Sequence, residues 1–356
     1  MIFDRFDRYI ARNVLGAMVL VQITLLALDF ALSLIQELGS AGPDYGILQM
    51  LYYQSLRLPW RFYQYIPIGV LLGGLLGLGA MASSNELTAI RAAGRSLTRI
   101  VWGAMKPLLL VIMVTMAVGE WVVPKTEQQS DAYRIEHVRG KGAMDTETGG
   151  WQVEGADVYR FGVIRADNTV LGITRYHYHE KQLLSAMHAD SATWNDEQRH
   201  WVLHNIQRTN IHDDRTEVTH ADEEGWDTAF SPDFLTLVLM DPQTQSINDL
   251  WRYGQYLDQQ GSSSNTAWLN FWLKVLQPLS LAGLLLVAAS FVFGPLRSVA
   301  AGTRIFYGII VGLLFKYAQD LLAPSSILFG FAPLWAVLVP ILACWVFGLV
   351  LIRRRG

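Results

Sequence analysis

Residues 62–82 read FYQYIPIGVLLGGLLGLGAMA, a run of 21 positions without an Asp, Glu, Lys or Arg. The hydrocarbon core of a bilayer is about 30 Å thick and takes roughly 20 apolar residues to cross as a helix, so this stretch is a membrane span by length and composition. Five further segments meet the same test, at about 14–35, 101–123, 271–293, 304–322 and 333–352. Three spans precede and three follow a long polar middle. The whole chain agrees: 356 residues, 51% hydrophobic and 17% charged, with a mean hydropathy of +0.24, exclude a purely soluble enzyme. The first run follows a charged stretch that resembles the n-region of a signal peptide. It extends past Leu34 with Asp29 inside it and has no clear small-x-small cleavage site, so it reads as a retained span.

Charge divides the chain in two. Residues 125–265 hold 12 of the 28 Lys and Arg but 23 of the 31 Asp and Glu, a net −11 against +8 for the remainder, and all eight His fall in that acidic block. An even number of spans leaves both termini on one side. The connectors on that side carry Arg5, Arg8, Arg12, Arg91, Arg95, Arg99, Arg297 and Arg353 to Arg355, whereas connector 323–332 has no Lys or Arg. The positive-inside rule then makes the termini cytoplasmic and the acidic block external. The single Cys, Cys344, excludes an intrachain disulfide and a cysteine-cluster metal site.

Within the acidic block the helical period gives way to short β-rich runs: Trp151-Gln-Val, Asp157-Val-Tyr-Arg-Phe, 170–178 and 201–206. Turn formers separate them, such as Ala166-Asp-Asn-Thr, His179-Glu-Lys-Gln, Asn195-Asp-Glu-Gln and His212-Asp-Asp-Arg. Strands spaced by about 8–12 residues predict an antiparallel sandwich or roll. His177 and His179 would share a strand face, which suits either a metal or two solvated rings; no third ligand is in reach of the pattern. Residues 261–265, Gly-Ser-Ser-Ser-Asn, read as a flexible joint back to the fourth span.

The connector 83–99, SSNELTAIRAAGRSLTR, has the pattern of a short helix. Ser83 or Ser84 would cap it, Leu87, Ile90 and Arg91 would share one face, and Gly94 would end it. Such a helix either plugs into a groove on a soluble partner or lies on anionic lipid. No G-x-x-x-x-G-K-[ST] phosphate cradle occurs in the sequence, so any ATP hydrolysis that drives the chain belongs to a partner.

Several blocks together carry a resemblance: Asp7-Arg-Tyr-Ile; Ser84-Asn-Glu-Leu-Thr-Ala-Ile-Arg-Ala-Ala-Gly94; Gly119-Glu-Trp-Val-Val-Pro124; Lys274-Val-Leu-Gln-Pro-Leu279; and Phe293-Gly-Pro-Leu-Arg-Ser-Val299. With three spans on each side of an external β block, the chain resembles the LptF/LptG family of lipopolysaccharide export permeases along nearly its whole length, and most its LptG members. The resemblance implies an α+β membrane protein of six transmembrane helices with an inserted periplasmic antiparallel β-jellyroll. Residues 1–124 would hold helices one to three with a coupling helix at about 84–94, 125–265 the β domain, and 266–356 helices four to six. It implies a non-catalytic subunit of an ATP-driven transporter in the bacterial inner membrane, which extracts lipopolysaccharide and passes it to a periplasmic bridge of β-jellyrolls. The implied partners are an LptF-like paralogue, an LptB-like ATPase dimer holding ATP and Mg, and an LptC-like jellyroll protein. No cofactor or metal in this chain and no nucleic-acid partner are expected. By the same carry-over, Glu86 is the coupling carboxylate that meets a basic residue of the ATPase, with Leu87, Ile90 and Arg91 beside it.

Ionisable groups near spans are Asp29, Glu120, Lys274, Lys316 and Asp320. A phosphorylated lipid needs a basic rim above an apolar chamber, and Arg57, Arg61, Lys125, Arg134 and Lys316 are the cations at the external level. Arg134 also sits where the family carries a rim arginine. Lys316 and Asp320, spaced i, i+4, either neutralise each other or leave Lys316 to a lipid A phosphate. Leu25, Leu26, Phe30, Ile68, Leu72, Leu75, Phe306, Ile310, Leu313 and Leu314 are the candidate chamber lining, with helix packing as the competing role for each. Where family members carry lysines after the first span, residues 33–40 hold Glu37 and no Lys, which puts phosphate contacts from that span in doubt. The acidic β domain is a poor site for phosphates and is expected to guide acyl chains instead. The competing function is a membrane-anchored receptor or scaffold whose β domain binds a partner without transport. An ion-coupled secondary transporter is disfavoured because the buried carboxylates are few and scattered.

Overall fold

The computed structural model describes residues 4–42, 45–138, 150–165, 167–179, 182–197, 199–212, 214–228, 230–259, 263–293 and 300–353. Arg297, Arg354, Arg355, all of the Phe293 to Val299 block after its first residue, and Gly261 and Ser262 of the proposed joint lie outside the described residues. In chain order the helices are α1 (Arg5–Glu37), α2 (Ile47–Leu56), α3 (Leu58–Ser83), α4 (Glu86–Ala92), α5 (Leu97–Ala117) and, after a π-helical turn at Val118–Val122, α6 (Val123–Val138). The strands follow as β1 (Gly150–Glu154), β2 (Asp157–Ile164), β3 (Val170–His179), β4 (Gln182–Asn195), β5 (His200–Ile211) and β6 (Thr216–Trp226). The chain ends with α7 (Pro232–Leu239), α8 (Ile247–Gln259), α9 (Asn265–Val275), α10 (Gln277–Phe293), α11 (Ala301–Phe329) and α12 (Pro333–Arg353). Two compact units result: Met1–Ser33 with Leu58–Val122 and Ser246–Gly356, and Leu34–Arg57 with Val123–Gln245.

In the first unit, α3 and α10 are apolar on every side and form the centre, as an all-round hydrophobic helix must. Leu71, Leu75 and Leu78 of α3 and Leu284, Leu285 and Ala288 of α10 are fully buried, with α5 and α12 contributing Ile100, Ala104, Leu108, Val337 and Ile341. Glycines let the backbones approach. A Cβ at Gly77 would stand 2.9 Å from Val14 Cα on α1, and one at Gly74 would stand 2.6 Å from a Leu285 methyl on α10. Thus α3 presents small residues to two neighbours at once, the packing device of helices in lipid. Among the described residues, four helical stretches are long and apolar enough to cross a membrane: Arg5–Ser40, Leu58–Ser83, Leu97–Arg134 and Pro333–Arg353. The expected 304–322 span falls in α11, whose 29 residues reach about 44 Å at 1.5 Å per residue.

The expected single span at 271–293 is instead the pair α9 and α10, bent by 54°. The cause is local. Pro278 has no N–H to give, and its ring clashes with the carbonyl four residues back, so the helix breaks at Leu276.

In the second unit the expected antiparallel roll is one six-stranded sheet in the order β1 to β6, each strand paired with its sequence neighbours. No crossover is needed because the turn formers are short. Alternation drives Tyr159, Phe161, Ile173, Met187, Trp201, Leu203 and Trp226 into one core with Phe230 and Leu235 of the segment that packs back on β2. Trp201 is the largest fully buried side chain among the described residues, and its indole N–H donates to the Phe230 carbonyl at 2.7 Å, satisfying the one polar atom it carries inward. A bulge between His177 and Tyr178 interrupts the alternation on which a shared face for His177 and His179 rested. The His177 ring sits instead 2.7 Å from a carboxylate oxygen of Asp157.

Candidate functional site

The helix in the α3–α5 connection covers Glu86–Ala92, and its ends differ from the serine-capped expectation. The hydroxyls of Ser83 and Ser84 donate back to the Ala80 carbonyl, closing α3 rather than opening α4. Asn85 takes the N-cap position in the left-handed region at φ 60°, a conformation asparagine tolerates better than most residues. Gly94, at φ +86°, turns the chain away after the last residue, where a Cβ would be strained. Leu87 and Ile90, expected on a partner-facing side, are 4% and 6% exposed in the chain's own core. Two apolar side chains one turn apart are the anchor of so short a helix, so both pack into the chain's own core, and Leu87 also lines a small pocket with Thr88 and Arg91. Thr88, Ala89 and Arg91 face out, and Glu86 is half-buried. The Tyr9 hydroxyl donates to Glu86 Oε2 at 2.8 Å.

Four of the five proposed rim cations already have carboxylate partners. In the first unit Arg61 pairs with Asp29 and donates to the Ser33 hydroxyl, while the Tyr65 hydroxyl donates to the other Asp29 oxygen at 2.7 Å. Lys316 pairs with Asp320 at 3.0 Å, both half-exposed. In the second unit Arg57 lies 3.5 Å from Glu127, and Arg134 lies 3.6 Å from Glu37. Both guanidinium groups stack on the Tyr53 ring, at 5.7 and 5.6 Å from its centroid, and Arg57 also donates to the Tyr53 hydroxyl at 3.1 Å. Burial pushes the Tyr53 hydroxyl above its ordinary pKa. Burial also opposes the Arg57 charge, but Tyr53 and Glu127 outweigh it, so Arg57 is held in its charged form. Glu37, the residue that stands where lysines were expected, anchors Arg134 and accepts from Tyr45 at 3.2 Å. Lys125 is exposed and has no ion pair among the described residues. A phosphate would therefore have to exchange with a carboxylate at four of the five cations, and the geometry brings together only Arg57 and Arg134, on Tyr53.

Of the chamber residues, Leu72 and Leu75 are 7% and 0% exposed and pack in the helix core. Their side of α3 faces its neighbours, which a sequence stretch apolar all round does not reveal. Leu25, Leu26 and Phe30 are half-buried, and Phe306, Ile310, Leu313 and Leu314 are exposed. Ile68 and Lys316 share a cavity of about 190 Å³ with Gln64, Gln319 and Asp320 at its polar side. Leu26 lines a separate apolar groove of about 280 Å³ with Met18, Phe62 and Val111.

One constellation was not combined by sequence reasoning. Two of the quoted blocks, Gly119-Glu and Lys274-Val-Leu-Gln-Pro, meet at Tyr63. The Lys274 ammonium, 4% exposed, lies 5.3 Å from the Tyr63 ring centroid. A Cβ at Gly119 would stand 2.8 Å from Tyr63 Cδ2, so only glycine admits the ring there. Glu120, on the π-turn, accepts the first N–H of α8 at 2.8 Å, an acid at a helix N-terminus. The signal in the sequence was the recurrence of charges inside apolar blocks.

Comparison with known proteins now bears on this arrangement. The family described as lipopolysaccharide export system permease LptF/LptG matches residues 8–354. The lipopolysaccharide export system permease protein LptG of Escherichia coli is 31% identical over 357 residues, covering 99% of each chain. Its namesake in Haemophilus influenzae is 32% identical over 342 residues, covering 95% of each. The matches cover nearly the whole chain, both helical parts and the β-sheet included, and the chain belongs to the LptF/LptG family of lipopolysaccharide export permeases.

Proposed function

We propose that this chain is the permease half of an ATP-driven lipopolysaccharide extractor, resident in the bacterial inner membrane with both termini cytoplasmic and the β-sheet in the periplasm. It pairs with an LptF-like chain, sits on an LptB-like ATPase dimer that supplies ATP and Mg chemistry, and is joined by an LptC-like jellyroll protein. Nucleotide-driven closure of the ATPase moves α4, narrows the chamber between the paired permeases and expels lipid toward the β-sheet. The observation that carries this reading is the end-to-end family match joined to a short loop helix with a single half-buried carboxylate, Glu86, at its start. Extraction of the tagged chain from its host in mild detergent is expected to recover a soluble ATPase and a second six-span chain of the same family. Recovery of the chain with a periplasmic protein and no ATPase would overturn the transporter in favour of the scaffold.

Arg134 serves the lipid phosphates in this reading, by exchanging Glu37 for a phosphate as cargo arrives. A half-exposed guanidinium gains a bidentate, charge-assisted contact in that exchange. R134E is expected to lower photo-crosslinking of lipopolysaccharide to the assembled complex by about tenfold, the size of one lost charge-assisted contact. Undiminished crosslinking would remove Arg134 from the rim.

A further inference from the structure

The block Asp7-Arg-Tyr-Ile has no part in the mechanism above, and neither does Asp4, yet Asp4 just before α1 and Asp7 and Tyr9 in its first two turns send polar side chains into the α4–α5 segment. Tyr9 donates to Glu86 Oε2 at the start of α4. Asp4 pairs with Arg95, one residue past Gly94, and the Arg95 guanidinium lies 5.4 Å from the Phe6 ring centroid. Asp7, 6% exposed, pairs with Lys106 in the third turn of α5. Ile10 and Asp7 also rest against Gly103, where an added Cβ would stand 3.4 Å from the Ile10 side chain.

We infer that the start of α1 is a latch on the coupling segment, with Tyr9 the residue that positions the Glu86 carboxylate and passes its movement to α1. This deepens the function proposed above and rests on Glu86 being the coupling carboxylate.

Three features carry it. First, the Tyr9 hydroxyl holds one carboxylate oxygen; among the described residues Glu86 Oε1 has no partner and remains for an incoming cation. A carboxylate has acceptor sites on both oxygens, so one donor orients it without neutralising it. Second, Tyr9 is 46% exposed, so its ring adds little packing and the hydroxyl bond is its main tie. Third, α1 continues from the latch onto Gly77 and Gly73 of α3, where Val14 and Met18 sit at backbone contact. A stroke applied at α4 therefore reaches α1 at its first turns through the latch, as well as by way of α3. Anchors at three separated points resist rotation of α1 about its axis, which a single contact would allow.

The test is the amount of lipopolysaccharide released per ATP hydrolysed by the reconstituted complex. Y9F removes one hydroxyl and keeps the ring. It is expected to lower that ratio by about tenfold or more, the loss of one hydrogen bond to a charged acceptor. The double variant Y9F/E86A should be no worse than E86A alone, because the two residues act through one bond. If E86A uncouples and Y9F leaves the ratio unchanged, the latch is overturned and the coupling role of Glu86 stands. If E86A also has no effect, both fall. Additive losses in the double variant would show that Tyr9 acts elsewhere and would likewise overturn the latch. Should Y9F fail to assemble, D4N reads the same latch at the part-buried Asp4–Arg95 pair: a reduced ratio supports it and an unchanged ratio overturns it.

Discussion

E86A is expected to leave the protein folded and assembled in the membrane while lowering lipopolysaccharide release per ATP by about thirtyfold or more. Truncating one member of a desolvated interfacial charge pair costs about 2–5 kcal/mol, much of it from the partner charge left buried and unpaired. Folding loses far less. The anchors of α4 are Leu87 and Ile90, which the substitution does not touch, and alanine is the best helix former. The lost acid in the first turn costs about 0.3–1 kcal/mol against the helix dipole. Release and hydrolysis measured side by side on the reconstituted complex separate the two effects. A normal release ratio would mean that the stroke enters through another residue, and Arg91, exposed on the same short helix, would be the next to change.

The second large effect belongs to α3. G73L is expected to destabilise the helical unit by more than about 3 kcal/mol, because the added Cβ would stand 2.7 Å from Met18 N and closer still to Met18 Cα. Both are backbone atoms, so no rotamer change relieves the clash and α1 must move off α3. Position 69 provides the internal comparison. There the nearest atom to an added Cβ is the side-chain oxygen of Gln22, which can swing aside. Thermal unfolding in detergent should therefore show a large loss for G73L and a small one for G69A. Equal stability of G73L and the parent would mean that α1 and α3 do not meet at this crossing.

Gly73 also shows how far the sequence could be read. The glycine-rich run in 62–82 announced close packing, and its length announced a span; both depend on residues adjacent in the chain. Which neighbour each glycine faces does not. Gly73 and Gly77 meet α1 some 55 to 63 positions earlier in the chain, while Gly74 meets α10 far downstream. The same limit applies to the charges. Arg57, Arg61, Arg134 and Lys316 were legible as cations at one level, since hydropathy sets where spans end. Their partners Glu127, Asp29 and Glu37 are contributed by other helices, and only the packed chain brings them within 4 Å. Lys316 and Asp320, on one helix, were the pair that spacing alone could anticipate.

The sequence by itself determined a membrane chain with a β-rich polar insert, a charged loop helix and membership of one permease family. Those conclusions rest on local sums and patterns: apolar length, turn spacing and ordered blocks of residues. Tertiary structure alone decided that residues Leu34–Arg57 join Val123–Gln245 in one unit, that α4 turns Leu87 and Ile90 inward, and that Tyr9 holds Glu86. Each of those outcomes is a competition for burial. An apolar residue goes to whichever surface removes most of it from its surroundings, and a half-buried charge goes to whichever opposite charge compensates its desolvation. Neither partner can be known before the helices are packed.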